Sequence, residues 1–101
     1  MMGARVEGGR EVTRVRFEIR ILGVAKVQTF HYDEEIPDPL PAVGDYAYPP
    51  SLSDHPPRRV VATESPRLGI AIVHLEPIDC SRGKPSLAMG VATLRAAGWL
   101  T

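Results

Sequence analysis

Three histidines, one cysteine and a stripe of arginines are the residues of this chain whose types and spacing could do chemistry. His31-x-Asp33 and His74-x-Glu76 each set an imidazole and a carboxylate two residues apart, hence on one face of a strand. On neighbouring strands these four side chains could converge on a zinc-like site. The spacings that mark established metal motifs are missing, so no metal and no cofactor is expected, and neither zinc nor magnesium should bind tightly. The stronger reading sets His31 beside Glu18 as a surface pair and His74 beside Val61. Cys80 lies in an Asp79-Cys-Ser loop without a nucleophile motif. Gly8-Gly9 opens no strand–helix phosphate loop. With no nucleophile, base and stabiliser in one pattern, no catalytic residue is expected, and the chain reads as a non-enzyme.

Arg14, Arg16 and Arg20 recur at strand spacing, and Arg58 and Arg59 would extend the stripe if their strand adjoins. Small barrels bind nucleic acid with such faces, using aromatic rings as stacking platforms. Tyr46, Tyr48 and Trp99 are the rings available for that. Twelve basic and twelve acidic residues cancel, which argues against a general polyanion binder, though not against a local basic patch, and makes nucleic acid the alternative partner. Ten of the twelve bases are Arg, which with abundant Ala, Pro, Gly and Val suggests a GC-rich bacterial or phage genome. A single cysteine builds no disulfide framework, and a reducing cytoplasm is the expected compartment. No secretory leader and no apolar run of membrane-spanning length is read from the sequence.

The elements that position these residues follow from periodicity. A chain of 101 residues makes one domain. Residues 1–11 read as a loose terminus, 12–77 as a small β domain, and 78–101 as a loop and helix docked on it. From Val12 to Leu22, Thr13, Val15, Phe17, Ile19 and Ile21 alternate with Arg14, Arg16, Glu18 and Arg20, which predicts a half-buried antiparallel strand. Gly23-Val-Ala-Lys26 turns the chain into a return strand, Val27 to Asp33. Pairing Leu22 with Val27 sets Ile19 opposite Phe30 and Phe17 opposite Tyr32 inside, with Glu18 opposite His31 and Arg16 opposite Asp33 outside. A slip of one residue would drive Phe30 among the arginines.

Seven of the ten prolines lie between Ile36 and Pro57, a stretch that can be neither helix nor central strand. It must cross a sheet edge or wrap a rim. A second hairpin is expected from Arg58–Glu64 and Ile70–Glu76, turned by Pro66-Arg-Leu-Gly69. Its register pairs Val60 with Leu75, Ala62 with Val73, Val61 with His74 and Thr63 with Ile72. Ala71, Val73 and Leu75 then face in, while Ile70, Ile72 and His74 face out. Two outward isoleucines need a cover, and the tail around Leu94 and Trp99 is the favoured one, a second chain the other. Ser86 is placed to cap a helix over 87–97, with Gly98 ending it.

Pro41-Ala-Val-Gly-Asp45 opening a strand, with Arg59-Val-Val-Ala62 and then Ile72-Val-His-Leu75, resembles an SH3-like small barrel over residues 12 to 77. The resemblance implies a mainly β fold, an open barrel or β-roll of about five antiparallel strands with a proline-rich crossing and a short C-terminal helix. The aromatic peptide groove of eukaryotic SH3 domains has no counterpart motif here, so proline-ligand binding is not implied. The expected function is a non-catalytic protein-interaction or assembly module of a bacterial or phage system. Val61, Ile70, Ile72, His74, Tyr46 and Tyr48 form its contact surface, and a protein partner or a second copy is the ligand.

Overall fold

Strand β2 (Arg10–Leu22) organises the molecule, because both of its backbone edges are hydrogen-bonded. The computed structural model describes residues 4–7 and 10–101, with side chains from Val12 onward. β2 forms an antiparallel hairpin with β3 (Val27–Pro37), in which Leu22 meets Val27, Ile19 meets Phe30, Phe17 meets Tyr32, Glu18 meets His31 and Arg16 meets Asp33. That is the register the two-residue period demands. Val15, Phe17, Ile19, Ile21 and Phe30 are all buried, and the polar residues between them face out. β3 runs four residues beyond the expected Asp33, to Pro37, and so brings Ile36 into the core opposite Thr13.

The other edge of β2 is shared by three strands in turn. β1 (Ala4–Glu7) pairs antiparallel with residues 10–13, β6 (Ile70–Leu75) pairs parallel with 14–18, and β7 (Ile78–Asp79) pairs parallel with Ile21 and Leu22. Residues 4–7, expected as part of a loose terminus, are thus strand, because β6 reaches only to Arg14 and leaves the first part of β2's edge to be filled. Arg10 and Glu11, also expected to be loose, open β2, and residues 1–3 and 8–9 lie outside the described residues.

The parallel pairing corrects the expectation of antiparallel strands throughout. The proline-rich segment carries the chain from the end of β3, beside the start of β2, back along the sheet to β5 (Arg58–Arg67). β5 therefore runs antiparallel to β2, and its hairpin partner β6 docks parallel. Only a long crossover can deliver a parallel neighbour, and this one has the length. Along the way it forms β4 (Tyr46–Ala47), paired to Arg59 and Arg58, and a single 3-10 turn at Pro50–Leu52.

Within the β5–β6 hairpin, Val60 meets Leu75 as expected, and then the register slips. A bulge at Val61 sets Ala62 opposite His74, Thr63 opposite Val73 and Glu64 opposite Ile72, with a second irregularity before Arg67 meets Ile70. The two extra residues leave a two-residue turn of Leu68 and Gly69, both at positive φ (53° and 83°). Pro66, expected to begin the turn, lies inside the strand instead.

The sheet curls into a half-barrel, mainly β with mixed strand directions, and one short helix, α1 (Leu87–Ala96), fills its open side. Ser86 caps α1 by accepting a hydrogen bond from the Met89 N–H at 3.2 Å. Gly90 lets the helix approach closely: a Cβ there would stand 3.3 Å from Cys80 Sγ and 3.4 Å from Ile21 Cδ1. Gly98, at φ +100°, turns the chain so that Trp99 drops into the core beside Leu94. Leu100 then exchanges two backbone hydrogen bonds with His31, adding to the free edge of β3. Leu40, Ala47, Tyr48 and Leu52 of the crossing pack on the same core. The tail thus lies on the concave side, with Phe17, Ile19 and Phe30, and not over Ile70 and Ile72 as expected. The reason is size: the curled sheet leaves a space that the crossing alone does not fill, and an indole is the largest apolar group available to fill it.

Candidate functional site: the outer sheet face

The convex face of the sheet is built from the outward residues of β3, β2, β6 and β5. The backbone register arranges them in rows: Glu35, Arg14 and Ile70; Asp33, Arg16, Ile72 and Glu64; His31, Glu18, His74 and Ala62. In the second row Arg16 grips Asp33 with two parallel bonds, Nε to Oδ1 at 2.8 Å and Nη2 to Oδ2 at 3.0 Å. Arg14 stands 4.0 Å from the same carboxylate. Hydrogen bonding from Arg16 holds the Asp33 carboxyl below the usual range against the opposing effect of burial, and raises Arg16 in return.

In the third row His74 lies between two carboxylates. Its Nδ1 is 3.3 Å from Glu18 Oε1 and its Nε2 is 2.7 Å from Glu64 Oε2. A neutral imidazole can donate to only one of them. Beyond this cluster β6 ends and Pro77 interrupts the sheet before β7, so a gap opens beside β2. The gap is a concavity of about 320 Å3 lined by Glu18, Arg20, Thr29, Val61, Ala62, His74 and Leu75. Arg20 has no carboxylate partner among the described residues.

Most of the residues expected to form a contact surface share this face. Val61, 47% exposed at the bulge, lines the concavity with His74. Ile70 and Ile72 are half-buried beside Arg14 and Arg16. Tyr46, 68% exposed, lies on β4 opposite Arg59. Tyr48 does not belong with them. Its ring packs inside, with centroids 5.7 Å from Trp99 and 6.0 Å from His55. Burial pushes the Tyr48 phenol up, while the Arg58 charge and the Trp99 indole N–H pull it partly back. That N–H is buried and has no acceptor in full hydrogen-bond geometry.

The basic stripe divides in the same way. Arg14, Arg16 and Arg20 share the outer face, but Arg16 is committed to Asp33. Arg58 does not extend the stripe: its Nε donates to the Glu76 carbonyl at 3.1 Å and its Nη2 to the Pro77 carbonyl at 3.0 Å, bracing the break between β6 and β7. The Arg59 backbone N–H donates to Glu76 Oε1 at 3.2 Å. The four side chains considered as metal ligands are thereby separated, with Asp33 on Arg16, Glu76 on Arg59, and His74 held by Glu18 and Glu64. Among the described residues no group of three or more His, Cys, Asp or Glu side chains could hold a metal ion. Cys80, 1% exposed, is packed against the helix.

The contact of Glu64 with His74 is one that sequence reasoning missed. Without the bulge Glu64 would point away from His74, and nothing in Val60-Val-Ala-Thr63 announces a bulge. Set against known proteins, the chain matches no protein family, no curated protein and no solved structure. No helix among the described residues is long and apolar enough to cross a membrane.

Proposed function

We propose that this chain is a non-catalytic protein-interaction or assembly module, and that it works through the outer sheet face around Val61, Ile70, Ile72 and His74. The observation that carries the reading is the destination of the tail. Leu94 and Trp99 are spent on the concave side, so the tail does not cover the outer face, where Val61 stays exposed and Ile70 and Ile72 are half-buried. The acids and bases of that face answer one another, Arg16 to Asp33 and His74 to two glutamates, which suits a fitted protein surface better than a reaction centre. The lone buried thiol of Cys80 suits a reducing cytoplasm, and the arginine-rich, alanine- and proline-rich composition suits a bacterial or phage assembly.

The test is Ile72→Asp, which puts a carboxylate into the middle of the face without touching the core. The variant should keep the far-ultraviolet circular dichroism of the parent, melt somewhat lower because Ile72 is half-buried opposite Glu64, and lose its association with the partner or second copy. If Ile72→Asp associates as the parent does, the face is not the contact surface. Salt-dependent binding of an oligonucleotide that weakens with Arg20→Ala would replace this reading with the nucleic-acid one.

A further inference from the structure

The β5–β6 hairpin ends in a feature that the fold itself does not use. Leu68 is 96% exposed and sits at φ +53°. That left-handed conformation is where a two-residue hairpin turn wants Asn, Asp or Gly, and a bulky side chain is disfavoured there. A leucine both strained and fully solvated contributes nothing to its own chain, and outliers of this kind concentrate where a surface has work to do. Beside it stands Arg67, exposed and without a carboxylate partner among the described residues.

The outer face offers a matching receptor. The concavity between β2 and the end of β6 has an apolar lining of Val61, Ala62 and Leu75. Glu18 stands on its rim, and Glu64 reaches it through His74. Arg20 is the one guanidinium among its lining residues. An apolar tip next to a cation meets an apolar hollow whose two nearby carboxylates, Glu18 and Glu64, outnumber its one guanidinium, Arg20. The tip cannot fill the hollow of its own molecule. Leu68 precedes the first residue of β6 and Leu75 is the last, so they stand about 16 Å or more apart along a rigid strand.

Building on the interaction reading, we propose that the occupant is a second copy of this chain: Leu68 of one molecule seats against Val61 and Ala62 of the next, above its buried Leu75, and Arg67 meets Glu18 or Glu64. The contact joins two different patches, so it is heterologous, and its repetition builds a ring or a filament instead of a closed two-fold dimer.

Sedimentation velocity over a range of concentrations tests this with the full chain, Leu68→Gly, Val61→Asp and an equimolar mixture of the two variants. The parent should gain mass with concentration. Each variant alone should stay at the mass of one chain, since one lacks the tip and the other the hollow. The mixture should form a two-chain complex and go no further, because only one productive junction remains. Glycine is at ease at positive φ, so Leu68→Gly should melt no lower than the parent, which separates lost assembly from lost folding. A parent that stays at one-chain mass, a Leu68→Gly protein that assembles like the parent, or a mixture that does not associate overturns the inference. If Leu68→Gly assembles while Ile72→Asp does not, the outer face stands and the hairpin tip falls.

Discussion

Replacing Trp99 with alanine measures how much the docked tail contributes. The chain has one tryptophan, and its side chain is 2% exposed. Truncating a buried Phe or Trp to Ala costs about 3–5 kcal/mol. Two tilted ring contacts, to Tyr32 at 5.6 Å and Tyr48 at 5.7 Å, belong to that loss. One effect opposes it. The indole N–H is buried close to the Tyr48 phenol but short of full hydrogen-bond geometry, a burden of about 1 kcal/mol that alanine removes. The net loss should therefore fall at the low end of the range, about 3 kcal/mol. Against a domain stability of about 5–15 kcal/mol the variant still folds. Trp99→Phe keeps an aromatic ring and drops the unpaired donor, so it should stay within about 1 kcal/mol of the parent. Urea unfolding of the three proteins gives the values. Because the fluorophore is unique, native emission also reports its surroundings directly. A loss under about 1 kcal/mol for Trp99→Ala, or native emission of a water-exposed indole, would refute the docking of the tail on the concave side.

Phe30→Ala should cost about 3–5 kcal/mol, and a loss below about 1 kcal/mol would mean the β2–β3 register is wrong. Gly90→Ala gains about 1 kcal/mol of helix propensity but presses a methyl against Cys80 and Ile21, so a net loss of about 1 kcal/mol is expected. A double-mutant cycle with Cys80→Ala should recover most of it, and full additivity would place the crowding elsewhere. The lowered Asp33 pKa adds stability that is present above the ordinary carboxylate range, about pH 4, and is lost as pH falls through the folded value. Asp33→Asn should then be clearly less stable than the parent at about pH 6, with the gap closing toward about pH 2; an unchanged gap in urea titrations would refute the assignment.

What the sequence made legible was local. The β2–β3 pairing follows from parity together with the short turn from Gly23 to Lys26, since moving Phe30 by one residue exposes it and the turn fixes Leu22 opposite Val27, and the Ser86 cap and Gly98 stop follow from short-range chemistry. The parallel meeting of β2 and β6 was not readable, because an outward Ile72 beside Arg16 and an outward Ile72 beside any other strand look the same in one dimension. The bulge at Val61 escaped for a related reason: Val, Ala and Thr tolerate either parity, so the pattern is weakest where the register shifts. The placement of the candidate residues was half visible. Alternation put Ile70, Ile72 and His74 on the outer face, where they lie, whereas the place of Glu64 beside His74 depends on the bulge. Tyr48 was misplaced because exposed and core tyrosines carry the same letter.

The double bonding of β2 has a kinetic consequence. Its contact with β3 closes a tight turn and can form early, while its contact with β6 must wait until the crossing and the second hairpin are made. During that interval β2 presents a bare edge, and a newly made chain could pair there with its neighbour. Arg14, Arg16, Glu18 and Arg20 alternate along that strand in mixed sign, so two nascent strands brought together parallel and in register would oppose like charges. The residues that decorate the finished outer face would then also act earlier, keeping an unfinished molecule from sticking to its own kind.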